Sequence, residues 1–215
     1  VTMRVGQGQP ERVWAELASA NLFEVLDVPA ALGRPLQPSD ESQRLPVAVI
    51  SDALWRSRFD ADPAIVGRSI ALNGNPVDVV GVTPPGFRGG MSGLTIDLWV
   101  PVTMHPQLSG RTILESRGNG WLTAIARLAP GATAPDAGAS LRVIADRLAA
   151  DHEVNQGRTL RVGPLSEDGA AEVLLPVVSV VMGVVAFVLL IACANVSGLL
   201  PGRAAGRKEE LATRP

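Results

Sequence analysis

The chain has 215 residues, 47% of them hydrophobic, with 19 Lys and Arg against 21 Asp and Glu for a formal net charge of −2. It has no basic excess, and its four Phe, four Trp and no Tyr offer few rings for base stacking, so the composition argues against nucleic-acid binding. The single cysteine, Cys193, excludes a disulfide within the chain, so apolar packing must hold the fold together.

The first part of the chain predicts short helices and a buried strand. Residues 19–26 carry apolar side chains at helical spacing, which predicts a short helix. Residues 46–50 form an apolar run that predicts a buried strand. Ser51 follows directly and predicts the cap of a helix over residues 51–59, since a serine hydroxyl can accept a hydrogen bond from the first helical turn.

A hairpin signal comes next. Asn73 and Gly74 lie between the apolar runs 69–72 and 77–82. Both turn residues tolerate positive φ angles, which a tight hairpin turn requires. The pattern therefore predicts two antiparallel strands.

The last part of the outer region mixes strand and helix patterns. Residues 96–101 predict a strand, and the polar stretch that follows, through Asn119, predicts a loop without regular structure. Residues 121–128 alternate as a strand, residues 136–150 place apolar side chains on one helical face, and residues 160–162 predict a further short strand. Strands and helices without regular alternation predict an α+β fold.

Residues able to carry chemistry are few, which predicts that the chain is not an enzyme and binds no metal or cofactor. His105 and His152 are the only histidines, have no ligand-like spacing, and are interpreted as surface residues. Asp60 and Asp62 lie beside a proline, as turn and capping residues do. The glycine-rich run 86–93 lacks the Lys-Ser/Thr ending of a phosphate-binding loop and is interpreted as a connector.

One uncharged segment near the C-terminus predicts a membrane helix. Residues 173–200 contain no Asp, Glu, Lys or Arg, and about 20 apolar residues suffice to cross a bilayer. A dozen Val, Leu, Ile and Phe side chains favour insertion by about 4 to 7 kcal/mol in total. The segment 172–201 is therefore predicted to span the membrane as a single helix.

The charges on either side of this segment predict its orientation. Arg203, Arg207 and Lys208 follow it closely, whereas residues 167–172 are acidic and contain no Lys or Arg. Positive residues favour the cytoplasmic side, so residues 202–215 are predicted to be a cytoplasmic stub and the large N-terminal domain to lie outside the cytoplasm. The chain opens without a signal sequence, so we expect it to be a fragment or truncated product of a longer protein.

Small and polar residues near the end of the predicted span suggest contact with other helices. Ala194 and Gly198 are four residues apart and allow close helix approach, and Asn195 can form an interhelical hydrogen bond. A lone Asn facing lipid would leave its amide unsatisfied, which favours packing against other membrane helices.

Several phrases of the sequence, taken in order, resemble those of one known family. They are NLFEVLDVPAALGRPL, PVAVISDALWRSRFDADPAIVGRSIALNGNPVDVVGVTPPGF, DLWVP, WLTAIARLAPGATAPDAGASL, VLLIACANVSGLL and RAAGRKEELA. Together they resemble the periplasmic core domain of a MacB-like ABC transporter permease, running into the start of an FtsX-like permease domain.

The resemblance implies a domain organisation. It places the periplasmic core domain at residues 1–168, with a porter-like lobe made of residues 1–40 and 121–165 and an inserted lobe at about 41–110. The stub 202–215 would then begin a truncated FtsX-like domain.

The resemblance also implies a function. The chain would be a permease subunit of the bacterial inner membrane, coupling ATP hydrolysis by a cytoplasmic ABC ATPase to export or mechanotransmission. ATP would bind to that partner, and other permease helices or a second permease copy would contact the span in the bilayer. The alternative is a single-pass membrane-anchored extracytoplasmic binding module without transport activity.

Overall fold

The computed structural model describes residues 1–6, 8–89, 94–165 and 178–193. Its internal contacts divide the chain into two units, residues 1–165 and 166–215. Within the first unit, we call residues 1–109, which hold the strands and the first four helices, the sheet domain. Residues 110–165 are called the arm.

Eight strands of the described residues form one mixed sheet, in the order β2-β1-β6-β7-β5-β8-β3, with β4 pairing to β7 off this path. The strands are β1 (Thr2–Arg4), β2 (Glu11–Arg12), β3 (Ala15–Ala18), β4 (Leu32–Gly33), β5 (Val47–Ile50), β6 (Ser69–Leu72), β7 (Asn75–Val82) and β8 (Leu98–Pro101). The pairs β5–β7 and β3–β8 are parallel, and the other pairs are antiparallel. Together with the helices below, this sheet confirms a mixed fold of helices and strands.

The helices confirm three predictions and add short ones. They are α1 (Leu22–Leu26), α2 (Pro38–Ser42), α3 (Asp52–Phe59), α4 (His105–Ser109) and α5 (Ala134–Asp151), and residues 178–193 are also helical. Ser51 caps α3 as predicted, since its hydroxyl accepts the Leu54 N–H at 3.0 Å. α5 starts two residues before the predicted position because Thr133 and Asp136 form a reciprocal capping box.

The centre of the sheet is buried on both faces. Along β5, Ala48 and Ile50 pack into one apolar cluster with Leu54 and Phe59 of α3. Val47 and Val49 point the other way, because successive strand residues face opposite sides. The second cluster also contains residues of α1 and β8: Leu22, Phe23 and Trp99. The sheet is therefore held between α3 on one face and α1 on the other.

The predicted hairpin is confirmed. Strands β6 and β7 pair antiparallel, and the turn residues Asn73 and Gly74 have φ angles of 48° and 85°. Asn73 has a further role, since its side chain accepts the Thr2 N–H at 2.7 Å and donates to the Leu108 carbonyl at 2.8 Å. This asparagine therefore ties the turn to β1 and α4.

Two facing glycines allow β4 to pack against β7. Gly33 pairs with Gly81, and a Cβ atom at Gly81 would lie 2.1 Å from the Arg34 carbonyl oxygen. A Cβ at Gly33 would lie 2.3 Å from the Val80 carbonyl oxygen. Such distances are far below van der Waals contact, so only glycine fits at either position.

Two predicted strands and one predicted loop are wrong. Residues 121–128 and 160–162 have no strand structure, and part of the predicted loop is helical, in a 3₁₀ turn at Val102–Met104 and in α4. A strand needs a neighbour for its backbone hydrogen bonds, and none of the described strands lies beside residues 121–128. Strands β1 to β4, each two to four residues long, were not predicted.

The predicted membrane span and lobes stay predictions. Much of the segment 172–201, and the whole of residues 202–215, lie outside the described residues. Within the described ranges, no helix combines the length and the apolar character needed to cross a membrane. The predicted lobes, 1–40 with 121–165 and 41–110, stay a prediction, and the sheet combines strands from both sides of residue 41.

Candidate functional site

The described residues contain no group of three or more metal-ligand side chains. His105 is buried, with 8% of its surface exposed, so its interpretation as a surface residue is wrong. Its Nδ1 lies 3.1 Å from the Arg111 carbonyl oxygen and 3.2 Å from the Ser109 hydroxyl, at the end of α4. His152 is the C-cap residue of α5. Both histidines therefore take part in the ends of helices, His105 through its contacts with Ser109 and Arg111 and His152 as a C-cap.

The predicted turn residues behave as predicted. The Asp62 carboxylate accepts the Ala64 N–H at 2.9 Å and caps the 3₁₀ turn at Pro63–Ile65. Asp60 is the C-cap residue of α3, with a φ angle of 50°. Part of the glycine-rich run 86–93, residues 90–93, lies outside the described residues.

An aromatic cluster lies beneath α1 in the sheet domain. Phe23, Phe87 and Trp99 have ring centroids 5.0 to 5.8 Å apart, in tilted and edge-on arrangements that aromatic rings prefer. The Trp99 indole N–H donates to the Glu16 carboxylate at 2.7 Å. The N–H of this fully buried ring therefore has its hydrogen-bond partner, and the cluster fixes α1 on the sheet.

The arm returns to the sheet domain next to this cluster. Ile125 packs against the apolar cluster that contains Trp99. The Arg127 guanidinium donates from Nε and Nη2 to the Val25 carbonyl oxygen, at 3.1 and 2.8 Å. Val25 lies near the end of α1, where helix carbonyls lack intrahelical partners. Arg127 therefore binds the end of the helix that covers the aromatic cluster.

A third contact lies on α4. The Trp121 ring stacks against the His105 ring with a centroid separation of 4.9 Å and an angle of 41° between their planes. The three contacts come from Trp121, Ile125 and Arg127, which lie within one segment of seven residues. We call residues 121–127 the strap.

The other side of the strap and the helix that follows are open to solvent. Leu122 is 63% exposed and Leu128 is 44% exposed. No backbone hydrogen bond involves residues 121–128. No residue of α5 is buried, and Val143 and Ile144 are about half exposed. The side chains of the strap therefore hold it to the sheet domain without help from a backbone ladder.

An ion pair fixes the chain between α1 and β5. The Arg34 guanidinium donates to both carboxylate oxygens of Asp40, at 2.7 and 2.8 Å, and Asp40 is fully buried. Burial alone would raise the pKa of Asp40, but the hydrogen bonds from Arg34 and the Gln37 N–H, with the Arg34 charge, lower it. Asp40 also raises the pKa of Arg34. This bidentate pair anchors α2 to the chain beside β4.

The predicted helix-packing residues Ala194, Asn195 and Gly198 lie outside the described residues. The same holds for the predicted cytoplasmic flank of Arg203, Arg207 and Lys208.

A shallow depression on the sheet is lined by Thr2, Arg4, Pro10, Ala71, Asn73 and Gly74. Arg4 is its one charged side chain, so the depression holds no acid–base pair.

The strap contacts were not identified from the sequence, although one signal for them is present. The alternating pattern of residues 121–128 places Trp121, Ile125 and Arg127 on one side. These three residues do contact the sheet domain, but Thr123, at the same alternation, is exposed, and the partners His105 and Val25 are 16 and 102 residues away in the chain. No local pattern links residues that far apart.

Comparisons with known proteins identify relatives of this architecture. A family model described as the MacB-like periplasmic core domain matches residues 1–144. No curated protein matches the chain significantly.

Two solved structures are similar to the chain at low identity. The periplasmic region of MacB from Actinobacillus actinomycetemcomitans is 19% identical, with a TM-score of 0.48 over 69% of this chain and 63% of that one. The extracellular domain of the ABC-type transporter YknZ from Gram-positive bacteria is 20% identical, with a TM-score of 0.41 over 51% and 54%. The chain thus covers less than two thirds of either structure.

Proposed function

The chain belongs to the family of MacB-like periplasmic core domains, and from this premise we propose that it is the outer domain of an ABC-type permease subunit. In this proposal, the subunit lies in the bacterial inner membrane and couples ATP hydrolysis by a cytoplasmic ABC ATPase to export or mechanotransmission. ATP binds to the partner ATPase, and this chain binds no cofactor.

The observation that carries the proposal is the uncharged segment 173–200, which follows the family domain and precedes Arg203, Arg207 and Lys208. The helix over 178–193 is apolar on all sides, and Val180 and Leu190 are 68% and 67% exposed. A helix that is apolar all round is stable in a protein core or in lipid. Exposed side chains of this kind support a position in the bilayer. The basic residues Arg203, Arg207 and Lys208 after the segment support a cytoplasmic C-terminal end, with the N-terminal domain outside the cytoplasm.

The orientation is tested by cysteine labelling in intact cells. In a Cys193→Ser background, Ser57→Cys on α3 and Ala212→Cys in the basic stub provide one thiol on each side of the predicted span. A membrane-impermeant maleimide should label the first without lysis and the second only after lysis. The reverse pattern would place the family domain in the cytoplasm and contradict the proposal.

The coupling is tested with a cytoplasmic ABC ATPase taken from the genome that encodes the chain. The two proteins, co-expressed and purified in detergent, should co-purify, and the chain should change the ATP hydrolysis rate of the ATPase. The control is a chain without residues 202–215, which lacks the basic stub and should lose this effect. An ATPase that neither binds nor responds favours the alternative function.

The alternative is a single-pass anchored extracytoplasmic binding module without transport activity. The exposed apolar side chains of the arm favour it, because Leu122, Val143 and Ile144 are each at least half exposed and patches of this kind mark protein contacts. This alternative predicts a protein partner for the arm and no effect on any ATPase.

Contact with other permease helices is a separate part of the proposal. Ala194, Asn195 and Gly198 supply the small and polar residues that such contacts use. Gly198→Leu should weaken association in a membrane two-hybrid assay, and Val188→Leu, an exchange elsewhere in the predicted span, is the control. An unchanged signal for Gly198→Leu would count against this packing face.

A further inference from the structure

The strap connects the arm to the sheet domain through three side chains. The Trp121 ring lies against His105 of α4, Ile125 packs against the apolar cluster that contains Trp99, and Arg127 binds the Val25 carbonyl of α1. We propose that residues 121–127 form a detachable strap, which ties the arm to α1 and α4 when closed and frees it when open, without unfolding the sheet.

The way the strap is held makes separate opening possible. A strand inside a sheet must break its ladder of backbone hydrogen bonds to leave, but residues 121–128 have no backbone hydrogen bond. Only Trp121 and Ile125 of residues 121–128 are partly buried, and the other side chains are already exposed, so opening uncovers little apolar surface. Segments with few buried contacts open at lower free energy than core strands.

The sheet domain keeps its own structure when the strap opens. Trp99 remains packed between Phe23 and Phe87, and its indole N–H remains bonded to Glu16. The bidentate pair of Arg34 and Asp40 also lies wholly within the sheet domain. Opening therefore costs the three strap contacts and leaves both faces of the central sheet covered.

The position of the strap gives it a role in coupling, and this part rests on the proposed function. The arm lies in the chain between the sheet domain and the predicted span at 172–201. A pull transmitted along the arm reaches α1 through the Arg127–Val25 hydrogen bonds and α4 through the Trp121–His105 stack. The strap is thus the joint through which movement of the arm reaches the sheet domain.

The strap is tested by limited trypsin digestion of the full chain purified in detergent. Trypsin cuts after Arg127 only when that side chain leaves the Val25 carbonyl, whereas Arg117 lies in an exposed loop and serves as the internal reference. We expect slow cleavage at Arg127 relative to Arg117 in the unmodified chain. Trp121→Ala should raise the Arg127 rate toward the Arg117 rate.

A matched control and a second variant complete the test. Leu122→Ala removes a neighbouring side chain from the exposed side of the strap and should leave the cleavage ratio unchanged. Arg127→Lys keeps a trypsin site but loses the paired N–H donors, and should raise cleavage as Trp121→Ala does. An unchanged far-ultraviolet circular dichroism spectrum and an unchanged urea midpoint, followed by the same signal, confirm that both variants keep the sheet intact.

Three results would overturn the proposal. They are equal cleavage at Arg127 and Arg117 in the unmodified chain, equal ratios for Trp121→Ala and Leu122→Ala, and cleavage at Arg127 only at urea concentrations that unfold the sheet. None of these measurements involves an ATPase or transport. A failed strap therefore leaves the permease proposal standing, and a failed ATPase test leaves the strap standing.

Discussion

The sheet domain and the arm contain similar apolar residues, which are buried in the sheet domain and exposed in the arm. Ile70 on β6 is 2% exposed, whereas Ile144 on α5 is 50% exposed. Strand β6 has β1 and β7 as neighbours and α3 across its face, whereas α5 has no buried residue. An apolar pattern thus gives burial only where a second element covers it.

The largest effect expected in the sheet domain is that of Gly81→Ala. The added Cβ would lie 2.1 Å from the Arg34 carbonyl oxygen, and the nearest atoms all belong to the Arg34 backbone, which cannot move aside as a flexible side chain could. We expect a loss of at least about 4 kcal/mol in the free energy of unfolding. Urea unfolding followed by intrinsic tryptophan fluorescence measures this loss. In the arm, Gly163→Ala meets no atom within 4 Å and should change little; equal losses would contradict the close approach of β4 and β7.

A matched pair of isoleucines compares the two regions directly. Ile70→Ala leaves a cavity in the core and should cost about 2 to 5 kcal/mol, whereas Ile144→Ala removes a half-exposed side chain and should cost less than about 1 kcal/mol. Urea midpoints of the two variants, measured side by side, give the difference. A cost at Ile144 as large as that at Ile70 would mean that α5 is covered in solution.

The Arg34–Asp40 pair should contribute less than the core and should depend on pH. Asp40→Asn removes the charge that Arg34 faces, and we expect a loss of about 2 to 3 kcal/mol at neutral pH. Because the folded pKa of Asp40 lies below its ordinary value of 3.8, its contribution is present above that value and is lost as the pH falls through the folded pKa.

Two controls test the role of the Asp40 charge: the pH dependence of stability and the more exposed ion pair of Asp52 with Arg56. Urea midpoints of the unmodified chain and of Asp40→Asn should converge as the pH falls below the folded pKa. Asp52→Asn breaks the more exposed pair with Arg56 and should cost less than about 1 kcal/mol. A gap between the Asp40→Asn and unmodified chains that stays constant down to strong acid would contradict the assigned role of the charge.

The smallest predicted effect is an increase in the free energy of unfolding, whereas the effects above are losses. Ala61 has a φ angle of 54°, which strains an L-residue with a Cβ. Ala61→Gly should therefore stabilise the chain by about 0.5 to 1 kcal/mol. In α3, the same exchange at exposed Ala53 should destabilise by a similar amount. A shift of both urea midpoints in the same direction would contradict the strain at Ala61.

Patterns within a few residues were sufficient for the elements that depend on local chemistry. Ser51 caps α3, and Asn73 and Gly74 form the hairpin turn. These structures depend on hydrogen bonds and φ preferences of neighbouring residues, which a sequence displays directly.

The contacts of the strap needed the folded chain. Residues 121–128 carry a strand pattern but lack a ladder, because none of the described strands lies beside them. The pairing of Trp121 with His105 and of Arg127 with Val25 joins residues distant in the chain. The prediction that His105 lies on the surface is wrong because burial depends on which distant residues pack around a side chain.

By itself, the sequence determined the capped helices, the central hairpin, the mixed fold and the family to which the chain belongs, because each has a short pattern or an ordered set of phrases. Only the tertiary structure decided which apolar faces are covered, that Gly33 must face Gly81, and that Asp40 is buried against Arg34. The physical reason is that burial and close approach depend on pairs of segments far apart in the chain. The strap at residues 121–127 follows the same principle, since its spacing is local and its partners are not.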